Sequence, residues 1–279
     1  MIKRLVMILA TVALVLAACS EASPSPAAGG LPTVNVDVSG ENVDAIKEAG
    51  ELRCGVKYDV RGFGFNNPES GEIEGLEADL CRIIASAMGV EPEFSEAISA
   101  NRIPFLQEDT VDIVISTMTR NAERELEIDF SHVYYVAGQS LLVKEDSDIQ
   151  SVDDLGGTTV CSGEGSTSEQ NIREMAPDAD LLLFGTYTEA GQALADDRCD
   201  AVSTDDTILF GLAEQFEGTE LRGEIFTEEP LAIGIKKGRE DLVEFSNAVL
   251  EELKENGGLT QLYETWVTPF SGEVPEVPF

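Results

Sequence analysis

VDIVISTMTRNAERELEIDFSHVYY, residues 111–135, opens on an apolar run, Val111 to Ile115, broken only by Asp112. Five residues are too few for a buried helix, and four of them are β-branched, so the run reads as a compact strand. Upstream, Leu80, Ile83, Ile84, Ala87 and Met88 recur at helical spacing and Gly89 follows as a stop. Before that helix, residues 52–56 read as a strand and 43–50 as a short helix ended by glycine. Downstream, 139–144 and 158–161 continue the strands, and Ser166-Thr-Ser-Glu169 reads as a capping box opening a helix. Leu242, Phe245, Val249 and Leu253 share one face of a late helix that Gly257-Gly258 stops. Strands alternating with helices over roughly 220 residues, with no internal repeat, predict an α/β fold.

The 279 residues carry 53 Asp plus Glu against 18 Lys plus Arg, a formal net charge of −35. Such a field repels phosphate backbones, because nucleic-acid binding is driven by Lys and Arg releasing counterions. An anionic membrane surface is an equally poor partner. Disorder does not follow from the acidity: 43% hydrophobic residues with 12 Phe and 5 Tyr can supply a core. The length allows one or two well-buried domains.

Met1-Ile-Lys-Arg4 is a short basic region, and Leu5 to Ala18 is apolar or small apart from Thr11. A bilayer span needs about 20 such residues; this one suits a signal peptide, residues 1–18. It ends in Leu16-Ala17-Ala18-Cys19, which looks like a bacterial lipoprotein box, with Cys19 as the lipidated residue and the cell membrane as its anchorage. Residues 19–44 then read as a flexible linker, rich in Ser, Pro, Ala and Gly up to about residue 40. Export leaves Cys54, Cys81, Cys161 and Cys199 in an oxidising compartment. Structural disulfides are expected, and spacing alone leaves all three pairings open. A single histidine and the lack of any C-x-x-C argue against a metal site.

Seven segments in order resemble the extracellular amino-acid-binding proteins of ABC importers, solute-binding protein family 3. They are GVKYDVRGFGF (55–65), GLEADLCRIIA (75–85), NRIPFL (101–106), the stretch 111–135, CSGEGSTSE (161–169), CDAVSTDDTILF (199–210) and AIGIKKG (232–238). The resemblance implies a type II periplasmic-binding-protein-like fold, two α/β lobes closing on one small ligand. Lobe 1 would be 45–133 plus 232–270, lobe 2 139–226, with hinges at 134–138 and 227–231 and a tail at 271–279. A bridge between lobes would hinder closure, so that layout implies the pairs Cys54–Cys81 and Cys161–Cys199.

A receptor for a free amino acid has to satisfy an α-carboxylate and an α-ammonium in a partly dry cleft. The resemblance places Arg124 on the carboxylate, with Thr119 as a hydroxyl donor and Thr117 as a backbone contact. From lobe 2 the glycine loop at Gly165, Ser166 and Thr167, entering a capped helix, would offer amides to the same carboxylate. Asp205 matches the ammonium partner. At the side-chain end, Ser99-Ala-Asn-Arg102-Ile-Pro matches the acidic-amino-acid receptors. Lys57 departs from the family, standing where glutamine receptors carry an acid and glutamate/aspartate receptors an arginine. Two cations there favour glutamate or aspartate, since burying a ligand carboxylate costs several kcal/mol unless a charge compensates it. A neutral ligand such as glutamine is the alternative, if Lys57 or Arg102 pairs with a protein acid such as Glu164. Arg61, Phe63 and Phe65 could line the pocket, although core packing suits the phenylalanines equally. His132 reads as a packing residue and Trp266 as one that packs the lobe.

The resemblance therefore implies binding without turnover, no cofactor, and an ABC permease with its ATPase as partners. A dehydratase on the same fold is the alternative of another class. Against it, the lone histidine has no adjacent Ser or Cys nucleophile motif.

Overall fold

The computed structural model describes residues 30–279, so the expected signal peptide and Cys19 lie outside the described residues. The first part of the chain forms α1 (Glu41–Ala49), β1 (Glu51–Val56), β2 (Asp59–Val60), β3 (Gly64–Asn66), β4 (Ile73–Glu74), α2 (Leu76–Met88) and β5 (Glu91–Glu96). Then come α3 (Arg102–Gln107), β6 (Ile113–Val114), α4 (Arg124–Glu127), β7 (Ile128–Ala137), β8 (Gln139–Lys144), β9 (Thr159–Gly163), α5 (Thr167–Met175) and β10 (Asp180–Phe184). The last are α6 (Tyr187–Ala195), β11 (Ala201–Asp205), α7 (Asp206–Gln215), β12 (Thr219–Arg222), β13 (Glu229–Lys236), α8 (Glu240–Glu255), α9 (Gly258–Trp266) and α10 (Thr268–Ser271).

Two five-stranded sheets carry the fold, in the orders β5-β1-β6-β13-β7 and β10-β9-β11-β8-β12. The strand expected at 111–115 shortens to β6, whose two residues pair in parallel with β1 and antiparallel with β13. In the second sheet β9 runs parallel to β10 and β11, while β8 runs antiparallel to its two neighbours, β11 and β12. Leu80, Ile83, Ile84 and Met88 bury the predicted face of α2, and Gly89 ends it in the left-handed region at φ 77°. Apolar side chains cover both faces of each sheet, as parallel strands require.

The chain passes between the sheets twice, at Gly138 between β7 and β8 and through 223–228 between β12 and β13. The segments expected as hinges lie side by side there: Glu229 opposite Ala137, Pro230 opposite Val136, Leu231 opposite Tyr135. A side chain at Gly138 would run into Ile225, so only glycine lets the two passages approach. Each disulfide stays with one sheet. Cys54 of β1 joins Cys81 of α2, and Cys161 of β9 joins Cys199 just before β11, the two pairs that the resemblance implied.

Residues 30–40 are less loose than the expected linker. The linker expected over 19–44 gives way to α1 at Glu41, and before it Val34, Val36 and Val38 are half-buried against the core. That period-2 alternation hides among Pro, Thr, Asn and Asp, and was not read from composition. The arm is tied down where Asn256 Nδ2 donates to Thr33 O at 3.2 Å. The tail packs as well: Phe279 stacks on His132 at 5.3 Å and lies under Lys254. Trp266 is buried, as expected, and donates Nε1–H to Asp79 at 2.7 Å.

Candidate functional site

Strands β1, β9 and β11 end at the same place between the sheets. In open α/β sheets the crevice beyond the carboxyl ends of the strands is where ligands bind. Lys57 follows β1 directly, the Gly165 loop follows β9, and Asp205 is the last residue of β11.

Lys57 is 1% exposed, and its Nζ donates to Ser99 Oγ at 3.0 Å. Arg102, 2% exposed, opens α3 and donates Nε–H to Ser99 O at 3.3 Å. Its Nη1 reaches Ser116 O at 2.9 Å and Thr117 O at 2.8 Å. Thr117 sits at φ 41°, a strained left-handed conformation for a β-branched residue. Arg124, also buried, donates to Thr119 O at 2.7 Å and across the cleft to Gly165 O at 3.4 Å. None of the three cations takes part in an ion pair among the described residues. Glu164, the acid considered as their protein partner, is exposed. Burial, then the charge of Arg102, lowers Lys57 to about 8. The same two causes disfavour the charged form of Arg124.

On the second sheet's side, Ser166 caps α5 by accepting from Glu169 N–H at 3.1 Å. The expected reciprocal bond is replaced: Glu169 accepts instead from Gly165 N–H at 2.9 Å, and Ser166 N–H goes to Gly163 O at 3.2 Å. The amides expected to be free at Gly165 and Ser166 are thus taken by the protein itself. Gly165 lies at φ +74°, and a Cβ there would sit 3.0 Å from Ala100 Cα, so glycine allows the loop to close on the opposite wall. Asp205 is 4% exposed, and burial, then the nearby Glu229 and Asp206, raises it well above the usual carboxylate range.

Two acids that sequence reasoning passed over complete the site. Glu229, 3% exposed, accepts at Oε2 from the hydroxyls of Thr119 (2.7 Å) and Thr167 (2.9 Å). At Oε1 it accepts from Thr227 (2.8 Å) and Asn171 (3.0 Å). It therefore joins β13 to residues on both sides of the cleft. Glu77, wholly buried in α2, accepts at Oε1 from Thr117 N–H at 2.5 Å and Tyr134 O–H at 2.6 Å. Its signal was present: position 77 precedes Leu80 and Cys81 by three and four residues, an acid on the apolar stripe.

Other expected residues fall elsewhere. Phe63 is core, edge-on to Tyr135 at 5.3 Å, and Arg61 lies over Phe65 at 4.4 Å. Asp59 accepts from Tyr187 N–H of α6 at 2.6 Å, a further tie between the sheets. His132 packs on Phe279 and bonds Glu251 at 3.0 Å, outside the cleft.

What the crevice offers is opposite charges held apart in a buried space, suited to recognising a small zwitterion. A family model for bacterial extracellular solute-binding proteins, family 3, matches residues 52–269. The chain is similar to the ABC transporter glutamine-binding protein GlnH of Bacillus subtilis, 45% identical over 231 residues, covering 81% of this chain and 85% of that one. It is also similar to the glutamate-binding protein GluB of Corynebacterium glutamicum, 33% identical over 238 residues, covering 80% of each. Among solved structures, an ancestral arginine-binding protein bound to glutamine superposes with a TM-score of 0.75 at 38% identity, covering 78% of this chain and 98% of that one. These relatives are binding proteins, not enzymes, and no helix among the described residues is long and apolar enough to cross a membrane. From residue 52 to residue 269 this chain belongs to the bacterial extracellular solute-binding proteins, family 3.

Proposed function

We propose that the protein captures a free acidic amino acid, glutamate or aspartate, and delivers it to an ABC permease and its ATPase. The observation that carries the reading is the pair of buried cations, Lys57 and Arg102, converging on Ser99 with no ion-pair partner among the described residues. A ligand carboxylate compensates two such charges; an amide leaves them underpaired. Arg124 with Thr119 holds the α-carboxylate, and Asp205 the α-ammonium. Segments 134–138 and 227–231 bend as hinges between lobe 1 (45–133 plus 232–270) and lobe 2 (139–226). Contacts made only on closure, from Gly165 to Arg124 and from Thr167 to Thr119, shift the hinge equilibrium.

A glutamine receptor is the second reading. It is favoured by the 45% identity to a protein named as glutamine-binding, and by the commitment of three Arg102 N–H bonds to backbone carbonyls. Calorimetry with glutamate, aspartate, glutamine and asparagine separates the two. Glutamate or aspartate is expected to bind most tightly, and tighter binding of glutamine than of both acids sinks the proposal. Arg102→Ala is expected to weaken the acids far more than the amides, and Arg124→Ala to weaken all four by about 100-fold or more. The choice between glutamate and aspartate is finer, since one methylene is worth only about 1–3 kcal/mol.

Cys19 as a lipid anchor fits a receptor that works beside its permease. The full-length protein expressed in a bacterial host is expected in the detergent phase on phase separation, and Cys19→Ala in the aqueous phase. Equal partitioning of both counts against the anchor.

A further inference from the structure

The hydrogen bonds of Glu77 are one-sided. Both fall on Oε1, from Thr117 N–H and Tyr134 O–H, while Oε2 is buried without a partner. A bare carboxylate oxygen in the interior costs free energy that a proton on it removes. Both donors are neutral. The charged or titratable groups facing Glu77 are Lys57 beyond the end of β1, Arg102 of α3 and Tyr134 of β7, and neither cation bonds it. Asp59 and Asp205 act in turn on Lys57. Thr117 N–H ties Glu77 to the loop whose carbonyl holds Arg102, so the acid sits behind the side-chain end of the cleft.

We propose that Glu77 is a specificity-determining residue that takes up a proton at Oε2 when an acidic ligand enters, tuning the preference for acid over amide. This rests on the acidic-ligand reading above. The ligand carboxylate draws Lys57 and Arg102 to itself, and Glu77 is left beside a like charge with neutral donors only. A proton from solvent converts its carboxylate to the acid, and the side-chain end gains one positive unit to match the ligand. Glutamine adds no charge and calls up no proton.

Burial raises Glu77 to about 7, against the opposing pull of Tyr134, Thr117, Lys57 and Arg102. A nearby anion raises it further. The sign follows: the liganded form holds more protons, so glutamate binds more tightly as pH falls. With the group half-ionised at pH 7, uptake is about half a proton, and affinity rises about fourfold from pH 7.5 to 6.0.

Calorimetry in buffers of different ionisation enthalpy counts the protons for glutamate and glutamine. In the wild type, uptake near pH 7 is expected with glutamate and little with glutamine. Glu77→Gln is expected to bind glutamate with uptake near pH 7 cut to the small share that Lys57, lowered to about 8, can supply, and with a nearly flat profile from 7.5 to 6.0. Tyr134→Phe, which removes a donor to the carboxylate, is expected to move the uptake to higher pH, and serves if Glu77→Gln does not fold. Glutamate binding by the wild type without uptake, equal uptake in Glu77→Gln, or an unmoved window in Tyr134→Phe overturns this inference alone. Glutamine binding with no glutamate binding at either pH overturns the acidic-ligand reading, and this inference with it.

Discussion

Glu229 accepts from four side chains, and those partners come from both walls of the cleft. A buried donor left without its acceptor costs about 1–3 kcal/mol. Replacing it leaves Thr119 and Thr167 without their shared acceptor. Glu229→Ala is therefore expected to favour the open arrangement and weaken ligand binding at least tenfold. Titration calorimetry, with small-angle scattering at saturating glutamate or glutamine, checks this; unchanged affinity and unchanged dimensions reject the role. Lys57, Arg102, Arg124 and Asp205 were legible because each stands in a motif whose neighbours identify it. Glu229 was not. It is one of 53 acids, in a Thr-Glu-Glu-Pro run that does not distinguish it from the exposed Glu228 beside it. Its burial is decided by Thr119, 110 residues away.

At the scale of elements, local chemistry reads well where partners are close in sequence. The stripe on α2 and its glycine stop needed only the period and the stop residue. The capping box at Ser166 was half right, because the glutamate had a competing amide at Gly165 that its own helix did not reveal. The two disulfides close loops of 27 and 38 residues, each stabilising by roughly 3–4 kcal/mol in the chain-entropy account. The arm before α1 has the composition of a linker, because its alternating valines are set among Pro, Thr, Asn and Asp. Removing residues 30–40 uncovers the surface that Val34, Val36 and Val38 half-cover. A chain beginning at Glu41 is expected to lose about 2 kcal/mol and to melt roughly 4–8 °C lower than one beginning at Gly30. Equal melting temperatures mean that the arm contributes nothing.

Over the whole molecule, a net charge of −35 sets a self-repulsion that no single pair relieves. Several surface cations already sit in pairs or small networks, such as Arg239 and Lys236 on Asp109. Raising NaCl from 0.1 to 1 M shortens the screening length from about 10 Å to about 3 Å. The melting temperature is expected to rise by about 3 °C or more. A fall would show that those ion pairs outweigh the general repulsion. Under the acidic-ligand proposal the same screening reconciles an acidic protein with an anionic ligand, because the cleft's cations act at contact distance while the surface acids act through water.

The sequence by itself determined the α/β class and which cations stand at the cleft. These are statements about periods spanning a few residues and about motifs whose members are neighbours. Only the tertiary structure decided which acids are buried, which amides the protein keeps for itself, and that the arm belongs to the fold. The physical reason is that burial and hydrogen-bond partnership are set by residues far apart in the chain. Glu77 meets Tyr134 across 57 positions, and Thr119 meets Glu229 across 110. No local pattern encodes a neighbour that folding alone brings near.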